Sequence, residues 1–154
     1  MTMTRLASRI AAAAAIASAL ALTAPGLVTA HDDGVIRCSE RTLRGDYGFN
    51  IDGQILPPGA PPMILRGVAM THFDGRGGLT QVDHTTLNGV PRAPGWRAGV
   101  GSYEVNADCT GTAEIIQSDG SPTLHLNLVV FDRGRQVRTV VDGNATGSLG
   151  VKVN

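Results

Sequence analysis

One turn dipeptide, repeated along the chain, limits the fold more than anything else in the sequence. From residue 45 onward, Asp-Gly occurs at Asp52-Gly53, Asp74-Gly75, Asp119-Gly120 and Asp142-Gly143, and Asn88-Gly89 adds another. These pairs readily supply the positive φ that tight hairpin turns require. Asn106-Ala107-Asp108 and Asp132-Arg133-Gly134 break the chain in the same way. The segments between are too short, and too strictly alternating, for helices. No segment keeps an i, i+3, i+4, i+7 apolar pattern for three turns, and 20 glycines weigh further against long helices.

The breaks leave eight predicted strands, at 45–53, 63–73, 78–87, 97–105, 110–118, 123–131, 136–141 and 146–153. Alternation is clearest from Thr123 to Phe131, where Leu124, Leu126, Leu128 and Val130 share one face. His125, Asn127, Val129 and Phe131 share the other. Most connections are too short for parallel crossovers, so the expectation is an up-and-down antiparallel meander. Closing it into an eight-stranded β-barrel would remove its edges. A two-sheet β-sandwich is the alternative.

The first thirty residues read differently. Arg5 and Arg9 precede an uncharged run of about thirteen residues, Ile10 to Leu22, and Val28-Thr29-Ala30 ends in small residues. That is the build of a cleavable secretory signal peptide, and the run is shorter than the roughly 20 residues needed to span a bilayer. The expected organisation is a signal peptide over 1–30, a polar segment with Cys38 over 31–44, and an all-β domain over 45–154. Cleavage after Ala30 would remove two of the 13 basic residues and none of the 13 acidic ones, leaving a net charge of −2. A slightly acidic exported domain is not built to track nucleic-acid phosphates, and it has no polybasic membrane anchor. Cys38 and Cys109, an even count in an exported chain, are expected to form a disulfide. Ser39 to Leu43 is read as one short helical turn.

Four strings carry a family resemblance: Cys38 to Phe49 (CSERTLRGDYGF), Phe73 to Gly77 (FDGRG), Gly101 to Gly111 (GSYEVNADCTG) and Asp132 to Arg135 (DRGR). Together they resemble exported bacterial proteins with an allene-oxide-cyclase-like barrel. The resemblance implies a calycin-type, eight-stranded antiparallel barrel. It implies no activity, and no catalytic motif of the cyclases can be matched residue by residue.

Candidate site residues follow from placing polar groups inside such a barrel. Arg66, alone in the apolar run Ile64-Leu65-Arg66-Gly67-Val68, is the most unusual charge. Tyr47, His125 and Asn127 join it as candidate lumen groups for a small apolar or amphipathic ligand. Asp46, Asp83, Glu104 and Glu114 are strand carboxylates, useful in acid–base chemistry only if buried. Glu104 would be solvated if its neighbours Tyr103 and Val105 face inward. Trp96 and the proline-rich stretches 56–62 and 91–96 are read as a lid or closure at one barrel end. His31, as a first mature residue, could chelate copper through its amino group and ring, although a plain polar terminus is the preferred reading. No pair of histidines has metal-ligand spacing, and no metal or cofactor is expected. The leading expectation is a non-enzymatic exported module that binds a small ligand or serves a structural role. The alternative is a cofactor-free cyclase or isomerase acting in the lumen.

Overall fold

The computed structural model describes residues 37–153. The signal-peptide reading of residues 1–30 and the copper reading of His31 fall outside that range. Within it the chain is all-β. The strands are β1 Arg44–Ile55, β2 Met63–Asp74, β3 Gly78–Leu87, β4 Val90–Pro91, β5 Arg97–Val105, β6 Thr110–Gln117, β7 Leu124–Phe131, β8 Gln136–Val141 and β9 Ala145–Lys152. Two 3-10 turns, Glu40–Thr42 and Asp132–Gly134, complete the described elements. Among the described residues no helix is long and apolar enough to cross a membrane.

Every pairing is antiparallel, and each main strand pairs with its neighbours in sequence. The last strand returns to the first: β9 pairs with β1 from Tyr47↔Lys152 to Gln54↔Ala145. The result is a closed eight-stranded barrel, with β4 a two-residue ribbon against the end of β3. The barrel, rather than the sandwich, is therefore the fold.

Four of the five dipeptides lie at turns, as the positive φ of Gly75, Asn88, Gly89, Gly120 and Gly143 requires. Asp52-Gly53 does not; β1 runs straight through it to Ile55. Gly53 serves close approach instead, since a Cβ there would sit 2.2 Å from the Ala145 carbonyl oxygen on β9. Asp-Gly thus marks a turn at three of these places and a tight strand contact at Gly53.

Side-chain parity sets inside from outside. On β7, Leu126, Leu128 and Val130 are buried, while His125, Asn127, Val129 and Phe131 are exposed. Tyr103 and Val105 point inward on β5, leaving Glu104 in solvent. β2 is apolar on both faces, so its pattern is ambiguous. Leu65, Ala69, Thr71 and Phe73 turn in, whereas Ile64, Val68 and Met70 stay exposed.

One end of the barrel is stoppered. Tyr47, Phe73 and Tyr103 stack edge to face, with ring centroids 5.3 and 4.9 Å apart, a geometry that contributes about 0.5–1.5 kcal/mol per pair beyond burial. Leu43, fully buried, enters from the turn 40–42. The Tyr103 hydroxyl shares its proton between the carbonyl oxygens of Leu43 (2.9 Å) and Glu40 (3.0 Å) and accepts from the Gly75 N–H (3.0 Å). Tyr47 donates to the Gly134 carbonyl. Gly134 has φ +85°, and a Cβ there would sit 2.1 Å from the Thr42 carbonyl oxygen, so only glycine fits. A Cys38–Cys109 disulfide, closing 71 residues, fastens the segment before β1 to the turn before β6.

Candidate functional site

The opposite end holds the candidate site. The lumen contains a cavity of about 90 Å³, walled mainly by apolar side chains such as Phe49, Leu65, Ile115, Leu126 and Val141. Thr139 and Ser148, bonded to each other at 2.7 Å, give its wall one neutral polar pair, and its charged groups gather at the mouth, where β3 ends and β5 begins. Arg97 and Asp83 face each other there with side chains 5% and 3% exposed. Register brings them together, because Asp83 is the direct partner of Arg97 across the β3–β5 pair.

Their pairing is bidentate. Arg97 donates from Nε to Asp83 Oδ1 and from Nη2 to Oδ2, both at 3.1 Å. Its Nη1 donates to Asp119 Oδ2 at 2.8 Å. Burial alone would lower the Arg97 pKa, but its hydrogen bonds to the two carboxylates reverse that effect and raise it. Asp119 is held well below the usual carboxylate range, first by Arg97 and then by Ser121. Asp83 Oδ2 also accepts from Gln117 (3.1 Å) and Gln81 (3.2 Å), and Gln81 in turn accepts from Thr71 (3.0 Å). A buried charge pair is tolerated only when its remaining hydrogen-bonding capacity is met in this way. A Cβ at Gly99 would lie 3.1 Å from Gln117 Oε1, so glycine leaves the amide room to lie beside the pair. Gln117 Oε1 and Thr85 Oγ1 are buried without a hydrogen-bond partner among the described residues.

The mouth therefore carries fixed polarity. Asp83 has four donors on its two oxygens, which opposes its action as a base. Among the described residues, no group of three or more His, Cys, Asp or Glu side chains could hold a metal ion.

Of the four residues read as lumen groups, the structure brings only Tyr47 inside, and it belongs to the stopper rather than to the cavity. Arg66 projects from the outer wall, 61% exposed, 3.4 Å from Asp52. His125 lies outside, 3.1 Å from Glu114, and Asn127 lies outside, bonded to Asp142 at 2.9 Å. The physical reason is parity: Arg66 alternates with inward Leu65 and Gly67, and His125 and Asn127 alternate with the inward leucines. His72 and His84 sit opposite Thr80 and Val68, four positions out of step. Trp96 is at the mouth end but 63% exposed, against His84 rather than over the opening.

Sequence reasoning missed Arg97, Gln117 and Arg92. A signal for Arg97 was present, since it shares parity with Tyr103 and Val105 on one strand.

An antiparallel barrel with an apolar lumen, one stoppered end and one polar mouth defines the class of molecule. No family model, curated protein or solved structure matches the chain.

Proposed function

We propose that this protein is an exported, non-enzymatic binder that takes a small apolar or amphipathic molecule into its barrel lumen. One observation carries the reading: the lumen is lined but not filled, with a cavity of about 90 Å³ between mainly apolar walls and a buried charged cluster near its mouth. Eight strands make an interior just wide enough for side chains or for one small ligand. Ligand sites pair mostly apolar walls with a few fixed polar groups in this manner. The resemblance to allene-oxide-cyclase-like barrels supports a calycin-type lumen. A cyclase reading has less support, because the buried carboxylate and guanidinium are committed to each other. The signal-peptide pattern and the Cys38–Cys109 pair support export together, since disulfides persist in oxidising compartments.

Native mass spectrometry of protein purified from its own source tests the binding reading. The expected spectrum shows the disulfide-bonded chain, cleaved near Ala30, with a small adduct released on activation. Bare protein, together with failure of any small amphiphile to shift lumen-facing resonances, would sink it.

A further inference from the structure

Arg92 lines the same cavity from its rim. Its backbone is fixed there: Val90–Pro91 pairs with the end of β3, and the Arg92 N–H donates to the Thr85 carbonyl at 2.9 Å. Its side chain reaches the 118–123 loop, where Nη2 donates to Ser121 Oγ at 3.3 Å.

Four charged groups stand around this opening, and three are mutually engaged. Arg97 is held by Asp83 and Asp119, and the second oxygen of Asp119 accepts the Ser121 N–H at 3.0 Å. Arg92 has no ion-pair partner among the described residues; its one side-chain bond goes to a neutral hydroxyl. A guanidinium carries five donors in a fixed fork suited to carboxylates. Beside it lies an apolar cavity.

Resting on the lumen-binding reading, we propose that the ligand is a monoanionic amphiphile whose head group, a carboxylate in the simplest case, pairs with Arg92 while its apolar body enters the lumen. The mouth selects for this charge. An anion meets donors without an ion-pair partner, whereas a cation meets Arg92 itself and two carboxylates already paired with Arg97. A neutral amphiphile gains the apolar walls alone.

Matched probes test this: octanoate, octan-1-ol and octylammonium, titrated against the disulfide-bonded protein by NMR or calorimetry. Octanoate should bind about tenfold more tightly than the alcohol, the size of one charge-assisted hydrogen-bonded contact, and octylammonium more weakly than either. Arg92→Gln should remove that advantage, so that acid and alcohol bind that variant alike. Arg92→Lys should retain part of it, and Arg66→Gln on the outer wall should change nothing. Equal binding of acid and alcohol, unaffected by Arg92→Gln, would overturn the anion assignment and leave lumen binding intact. Tightest binding of octylammonium would do the same. If none of the three binds, lumen binding itself fails.

Discussion

The two ends of the barrel solve the same problem, how to bury polar groups, by opposite means. At the stoppered end the polar atoms are neutral. Two tyrosine hydroxyls meet backbone carbonyls between aromatic rings, and a disulfide fastens the arrangement. At the mouth the buried groups are charged, and Arg97 is balanced by Asp83 and Asp119 with glutamines filling the remaining valences. Neutral polar groups are cheap to bury once hydrogen-bonded, whereas a buried ion pair offsets its desolvation only with near-complete pairing. The closed end is therefore built for stability. The mouth holds a fixed, directional polarity beside an apolar cavity, which is what recognition needs.

That contrast can be broken at either end. The largest effect is expected at the mouth. Asp83→Leu removes the bidentate partner of Arg97 and should cost about 3–5 kcal/mol of stability, the usual result of breaking a buried pair. Adding Arg97→Met should recover much of the loss, as urea denaturation would show. A double variant as unstable as the single one would mean that the pair contributes more than mutual neutralisation.

At the stoppered end, replacing both Cys38 and Cys109 with alanine should cost roughly 4 kcal/mol by the chain-entropy model for a 71-residue separation. The tyrosines come next. Burial, with a smaller effect from Tyr103, pushes the Tyr47 pKa up to about 12 from its ordinary 10.0. A folded-state pKa above the unfolded value gives stability that is complete below pH ~10 and lost as pH rises through about 12, at ~1.4 kcal/mol per unit. Tyr47→Phe should cost about 1 kcal/mol at neutral pH through the lost bond to Gly134. It should also flatten this alkaline loss in a series of thermal melts. The smallest effect belongs to the outer wall: Arg66→Gln should change stability by less than about 0.5 kcal/mol, because Arg66 and Asp52 are both more than half exposed.

The fold was legible because turn chemistry and alternation are local. Strand limits such as 78–87, 97–105 and 136–141 follow directly from glycine-rich breaks and period-two patterns. The cavity was less legible because inside and outside exchange with a one-residue shift in parity. On β7 the leucines decide the matter; on β2, with Ile64 and Val68 on one face and Leu65 and Ala69 on the other, nothing local does. Arg66 stood out against apolar neighbours, yet those neighbours at 64 and 68 are themselves exposed. Arg97 and Asp83 drew less notice because each reads alone as an ordinary surface charge. Only the cross-strand register makes them a pair.

The seam between β1 and β9 has a consequence for how the molecule is made. Tyr47 lies beside Lys152 there, so the contact that completes the ring joins nearly the whole length of the described chain. Contacts of such separation form late and slowly, because the chain must lose its freedom before they reward it. Without β9 the β1 strand would keep a free edge able to pair with another strand. The same seam that leaves the finished barrel without an edge thus makes its closure dependent on β9. Truncation within β9, before Leu149, should harm folding out of proportion to the few side chains removed.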